Sequence, residues 1–323
     1  TQTETQTEPR PDRSAPATTS STASTPSVPP VDDVLIPARG GVRASTNAVG
    51  SNPTRGPGVY DVVVVGVTTE DGPSPATAEN SPPIVSGADS YWNETTGGRY
   101  RLDFRSFVGV STPTALCTLP AADLLVNSAV TSATDGLIPR PGRAGILVVS
   151  VMPQPSACDF PGGMGWLGVG SQLIGGLAWS QQQSAALVLA HESGHNFGLM
   201  HANNLECGDG VWPFPLPQFP SWPCERTEYG DITSVMGNGT AAAGKLNAAH
   251  LKTLGLLTAE QSVDVGAASG DVNLAPLYGD EAGTRAATIA VGGLTPATMM
   301  VEYRPDLGGS GVTLRQVESA ATW

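Results

Sequence analysis

Ala190-His191-Glu192-Ser193-Gly194-His195-Asn196-Phe197-Gly198-Leu199-Met200-His201 holds three of the chain's four histidines within eleven positions. On an α-helix each residue turns by about 100° and rises about 1.5 Å, so positions four apart stack on one face. The spacing predicts a helix from which His191 and His195 point two imidazoles at one ion. Glu192, one residue round, lies beside that ion, where it can hold a bound water without ligating. His201 needs another argument, because a continuing helix would carry it roughly 240° round and about 9 Å along. Gly198 supplies the exit: glycine accepts the positive φ that ends a helix and turns the chain back. Three neutral imidazoles at about 2.0–2.1 Å leave one tetrahedral position for water, the arrangement of a catalytic rather than a structural zinc.

Upstream, the chain supplies a frame for that helix. Ser180 with Gln183 three residues on is a capping-box pattern, and Ala185 to Ala190 is apolar on every side, as in a buried helix. Tyr60 to Val67 is a β-branched run with the length of a buried strand. A Pro-rich connector follows, then a helix over Val85 to Glu94. Arg99 to Val110 alternates as a second strand, and Leu119 to Ala133 reads as a helix with Pro120 in its first turn. Ala144 to Met152 is a third, continuous buried strand. This order predicts an α/β fold with a twisted, mostly parallel sheet.

Composition narrows the function classes. The chain has 323 residues, only 14% of them charged, and a net charge of −13. Nucleic acid and anionic membrane surfaces reward clustered Lys and Arg, so neither is an expected partner. No apolar run reaches the ~18–20 residues of a membrane span. Residues 1–33 are dominated by Thr, Ser, Pro and Ala, with no aromatic residue, and read as a disordered tail or linker. The chain opens at Thr1 without a basic-then-apolar leader, and reads as a processed product. Cys117, Cys158, Cys207 and Cys224 form no C-x-x-C pair. Their even number suggests two disulfides in an oxidising compartment, and nearness in sequence favours Cys117–Cys158 and Cys207–Cys224 among three connectivities. The expected location is therefore secreted.

The stretch His191–His201 matches H-E-x-x-H-x-x-G-x-x-H at every fixed position and so resembles the zinc signature of metzincin metallopeptidases. Tyr229-Gly230-Asp231-Ile232-Thr233-Ser234-Val235-Met236-Gly237 follows, with Met236 35 residues beyond His201. Metzincins carry a tight turn with a methionine beneath the metal, and Met236 fits that role; a thioether fills irregular space against imidazole rings without being a hard ligand. Tyr-Gly-Asp followed by Val-Met-Gly, with the long motif before it, is most similar to the gametolysin-type branch. No tyrosine stands two residues after Met236, where some branches place an extra ligand; Asn238 is there instead. Asp231 is read as a brace for the turn or a support for a ligand, and His250 as a structural residue.

The resemblance implies a metzincin-like peptidase domain over residues 34–257, then a small β-rich module over residues 258–323. Runs at Val272 to Leu277, Ala286 to Val291, Thr298 to Arg304 and Gly311 to Val317 suggest a β-sandwich-like arrangement there. It implies one catalytic Zn²⁺ on His191, His195 and His201, and hydrolysis of protein or peptide substrates through a zinc-bound water. Glu192 would be general base and then acid. In metzincins a substrate lies antiparallel along a sheet edge, so Gly175, Gly176 and Leu177 in the Gly-rich stretch 162–179 are candidate substrate contacts; a connector that merely packs closely is the other reading. Trp212 and Phe214, in the Pro-rich loop between Cys207 and Cys224, either wall a substrate pocket or pack around a disulfide. The alternative functions are a zinc-bearing extracellular binding or adhesion module that has lost catalysis, and a zinc hydrolase acting on a non-peptide bond. Calcium sites and oligomeric state are not legible in the sequence.

Overall fold

The computed structural model describes residues 56–113, 138–153, 185–207, 224–237, 244–266, 271–291, 297–307 and 311–317. The predicted helix at 119–133, the stretch 162–179 with Gly175, Gly176 and Leu177, the cap at 180–183, Trp212, Phe214, Cys117 and Cys158 lie outside them, as does the tail 1–33.

The first strand, β1 (Gly58–Thr68), is central in a three-stranded sheet with β2 (Tyr100–Ser111) and β3 (Gly145–Val151), in the order β2-β1-β3. Both pairings are parallel. A central parallel strand is covered on both faces, which is why Val62, Val63, Val64, Val65 and Val67 are all fully buried and the sequence shows no alternation. Among the described strands β2 lies at an edge, and its first residues alternate buried Tyr100 and Leu102 with half-buried Arg101 and Asp103. The expected mixed α/β organisation with a parallel sheet is present.

Asp61 is the charge within that central strand, and it is fully buried. It faces Asp103 of β2 in register. Two carboxylates side by side repel, and arginines answer them. Arg140 donates from Nε to Asp61 at 2.8 Å and from its backbone N–H at 3.0 Å, while Arg143 Nε lies 3.2 Å from the same carboxylate. Arg140 and Arg143 also reach Asp103. Burial pushes the Asp61 carboxyl up, but the Arg140 hydrogen bonds and the positive charges of Arg140 and Arg143 outweigh it, so the group sits below the ordinary carboxylate value.

Parallel neighbours need a crossover, and α1 (Ser81–Thr96) provides it between β1 and β2. It begins four residues before the predicted Val85. Pro82 and Pro83, which suggested a connector, occupy the first turn, where the missing N–H groups have no helical partner to lose. Gly97, in the left-handed region at φ 60°, closes it.

The motif helix α2 (Ala185–Asn196) lies against α1. Gly87 permits the approach: a Cβ there would meet the Ala186 Cβ at 2.7 Å. Trp92 Nε1 donates to Ser193 Oγ at 2.7 Å, and Ser193 Oγ donates to Leu189 O at 2.6 Å. Just past the helix, Phe197 is fully buried among Trp92, Tyr100 and Tyr60, at ring separations of 4.9, 4.9 and 5.1 Å. The end of the motif helix is thus anchored on α1 and the sheet.

Strands β4 (Asn204–Cys207) and β5 (Cys224–Thr227) form an antiparallel ladder that sets Cys207 opposite Cys224. Proline between Cys207 and Cys224 predicts a loop without regular structure, and that loop has regular flanks. Leu246, Ala249, Leu254 and Leu257 fall near helical spacing and predict a helix over Lys245 to Leu257; helix α3 (Ala248–Thr253) is shorter. Asn247 caps it by accepting from His250 N at 2.9 Å, and Gly255 at φ 66° follows its end. His250 is buried on this helix, outside the histidine cluster.

The C-terminal part contributes β6 (Ser262–Gly266), β7 (Ala286–Val291), β8 (Ala297–Tyr303) and β9 (Val312–Val317). Among the described residues they make one sheet in sequential order rather than a sandwich, parallel at β6–β7 and antiparallel beyond. The run Val272–Leu277, expected as a strand, is irregular; Ala275 N donates to Thr284 O and Leu277 N to Tyr303 O. Leu277, Ala286 and Met300 belong to the same apolar core as β1 and α2. Buried Glu302 accepts from Ala248 N at 2.6 Å, and Tyr278 donates its hydroxyl to Leu246 O at 2.6 Å.

Candidate metal centre

The helical pair comes together as the four-residue spacing requires. His191 and His195 project from α2 with their Nε2 atoms 3.1 Å apart. Beyond Asn196, Gly198 takes φ 94°, its N–H bonding to His195 O and the Leu199 N–H to Gly194 O. This left-handed exit turns the chain, and His201 returns to set its Nε2 3.1 Å from that of His195. Ligand atoms at about 2.0–2.1 Å from a tetrahedral ion lie about 3.3 Å from one another, so the spacing fits a shared small cation.

Proton placement supports the same fit. The other ring nitrogen of each histidine faces an oxygen: His191 Nδ1 lies 2.6 Å from Val235 O, His195 Nδ1 2.7 Å from Leu199 O, and His201 Nδ1 2.9 Å from Glu228 Oε1. A carbonyl or carboxylate oxygen only accepts, so Nδ1 carries the proton in each case. A neutral imidazole has one N–H, which leaves lone pairs on all three Nε2 atoms. Three lone pairs brought together repel unless a cation is shared. His191, His195 and His201 could therefore hold a metal ion, with the first two buried and the third half-buried.

Glu192 is 1% exposed, on α2 directly after His191. Asn196 Nδ2 donates to its backbone carbonyl at 2.9 Å.

Met236 lies beneath the helix. A Cβ on Gly194 would stand 2.4 Å from the Met236 sulfur, so the motif's glycine makes room for the thioether. The turn that carries Met236 is fastened to the third histidine's segment. Ala202 donates its N–H to Met236 O at 2.7 Å, and its carbonyl accepts from Asp231 N at 3.1 Å. Gly237 is wedged in the same place: a Cβ would approach Asp231 O to 2.2 Å and Ala202 O to 2.7 Å. Asp231 Oδ1 accepts from Thr233 N at 2.9 Å and from its hydroxyl at 2.5 Å, which is the turn-bracing role.

Two neighbours of the imidazoles are missed by the sequence reading. Glu228 touches His201, as given above, and the Tyr229 ring lies 3.9 Å from the His201 ring and 6.1 Å from that of His191, centre to centre. Tyr229 is the one non-glycine residue with positive φ among the described residues, at 58°. A side chain held there costs about 1–3 kcal/mol and persists where its surroundings demand it. The sequence marks Tyr229 only as the start of Tyr-Gly-Asp.

No family model matches this chain, and no curated protein matches it. Among solved structures, it is similar to a zinc-dependent peptidase from Methanocorpusculum labreanum (strain Z) at 11% identity, over 60% of this chain and 99% of the other, with a TM-score of 0.32. A likeness that distant carries no argument about activity. No helix among the described residues is long and apolar enough to cross a membrane.

Proposed function

We propose that this chain is a secreted zinc endopeptidase of metzincin type, nearest the gametolysin-type branch. The observation that carries the reading is the convergence of three Nε2 lone pairs, each fixed by an Nδ1 hydrogen bond, beside a buried glutamate on the same helix. Zinc, when bound by His191, His195 and His201, supplies Lewis-acid polarisation of the scissile carbonyl and activates water. Glu192 takes the proton of the attacking water and returns it to the leaving amine. Burial of Glu192 keeps bulk water from competing for that proton. Met236, below the rings, holds the floor of the site without competing as a ligand.

On the metzincin resemblance, Gly175, Gly176 and Leu177 are assigned to main-chain contacts with an extended substrate, and Trp212 and Phe214 to the pocket beyond the cut bond. Cys207 and Cys224, paired across the β4–β5 ladder, have a backbone relation suited to a disulfide closing that loop. The acidic, sparsely charged composition and that pairing support secretion.

Glu192→Gln tests the chemistry. The variant is expected to keep stoichiometric zinc while its casein-cleaving kcat falls about 10²–10⁴-fold. Cleavage at the parent rate, or parent activity unaffected by a strong chelator, would sink the mechanism.

A further inference from the structure

We propose that Glu228 and Tyr229 form a clamp that positions His201 and sets the affinity of the metal centre. The inference rests on the zinc reading above and goes beyond the three ligands. His191 and His195 have their Nδ1 atoms bonded to main-chain carbonyls, which no side-chain change removes. His201 gives its Nδ1 proton to a side chain, the Glu228 carboxylate at 2.9 Å. A carboxylate in that place fixes ring rotation and makes the opposite nitrogen a stronger donor than a carbonyl would.

Tyr229 acts on the face of the same ring. Its centroid separation from His201 is 3.9 Å at a tilt of 40°, closer than its 6.1 Å to His191. The left-handed backbone at φ 58° is what swings the Tyr229 ring back over His201 while Glu228, its neighbour, meets the ring edge. Asn203, two residues after His201, holds that backbone by accepting from Tyr229 N at 3.1 Å. The ladder starts at the adjacent pair, Asn204 opposite Thr227. The edge and one face of the third imidazole are therefore gripped by two consecutive side chains, registered by a strand pair. Glu228 is 57% exposed, so solvent weakens its share, and the expected effect lies at the low end of what such partners supply.

Zinc dissociation constants, measured with zinc alone against a chromophoric chelator on the full chain, test this together with the visible spectrum of the Co²⁺ form and the melting temperature of the metal-free protein. Glu228→Ala is expected to weaken zinc about tenfold, and Glu228→Gln, which keeps an acceptor, by less. Tyr229→Gly removes the ring and relieves the backbone at the same time. It is expected to weaken zinc about tenfold and alter the Co²⁺ spectrum while the metal-free melting temperature holds or rises. Tyr229→Phe restores parent affinity. Parent-like affinity and Co²⁺ spectra in both Glu228→Ala and Tyr229→Gly would overturn the clamp alone. A loss of affinity matched only by a fall in metal-free melting temperature would overturn it as well. A parent protein that binds no zinc removes the zinc reading and the clamp together.

Discussion

The two sides of the candidate metal centre are built by different means. His191 and His195 owe their relation to helix geometry, and their helix is fixed from behind by Trp92, Tyr100, Tyr60 and Phe197. His201 stands on irregular chain and owes its place to Ala202, Glu228, Tyr229, Asp231 and Met236, from segments some thirty residues apart. One side is organised locally and supported by apolar packing. The other is assembled from main-chain bonds and close backbone approaches. The first tolerates changes of sequence that respect volume; the second depends on specific atoms at specific separations.

Breaking the helical side is expected to have the largest effect on stability. Phe197→Ala removes a fully buried ring from the aromatic cluster and should cost about 3–5 kcal/mol in denaturant unfolding. A loss below about 1 kcal/mol would mean that the helix end does not rely on that packing. On the loop side, Gly237→Ala drives a Cβ into the Asp231 and Ala202 carbonyls and should cost about 1–3 kcal/mol. Gly194→Ala meets a flexible thioether instead, so its cost should be the smaller of the two. If urea midpoints reverse that order, the rigidity assigned to the loop side is wrong.

The sheet beneath both sides offers a pH control. Asp61 is held below its ordinary value of 3.8, so it adds stability that is fully present above that pH and is lost as pH falls through the lower folded value. Parent protein should therefore exceed Asp61→Asn in stability near neutrality, by about 2–3 kcal/mol once the partial exposure of the arginines is discounted. The gap should begin to narrow as pH falls below 3.8 and close as pH passes the lower folded value. A gap that stays constant through acid would assign the effect to packing. Asn203→Ala is the mildest test: losing the acceptor for Tyr229 N should cost about 1 kcal/mol in unfolding, leaving the helix signal in circular dichroism unchanged.

What the sequence made legible follows the same division. β1, β3 and the helical histidine pair were readable because each depends on neighbours a few residues away. The left-handed exit at Gly198 was readable for the same reason. Pro82 and Pro83 misled because a proline's meaning depends on whether it falls before a helix or in its first turn, and nothing local settles that. Gly255 was an available stop signal for α3. Glu228 and Tyr229 were not readable as neighbours of His201, because only the Asn204–Thr227 register brings them there. The crowding at Gly194 and Gly237 was hidden likewise, since the atoms they avoid belong to other segments.

The bonds from Ala202 to Asp231 and Met236 also put a clock on the molecule. A ribosome finishes the whole histidine motif before it has made Glu228, Tyr229, Asp231 or Met236, the later residues that hold the His201 segment in place. At about 5–20 residues per second, the interval from His201 to Gly237 lasts about 2–7 seconds. A nascent chain in that interval contains every residue of the signature and lacks the means to present the third imidazole. The three imidazoles can meet only once the turn has been made, not when the motif is complete.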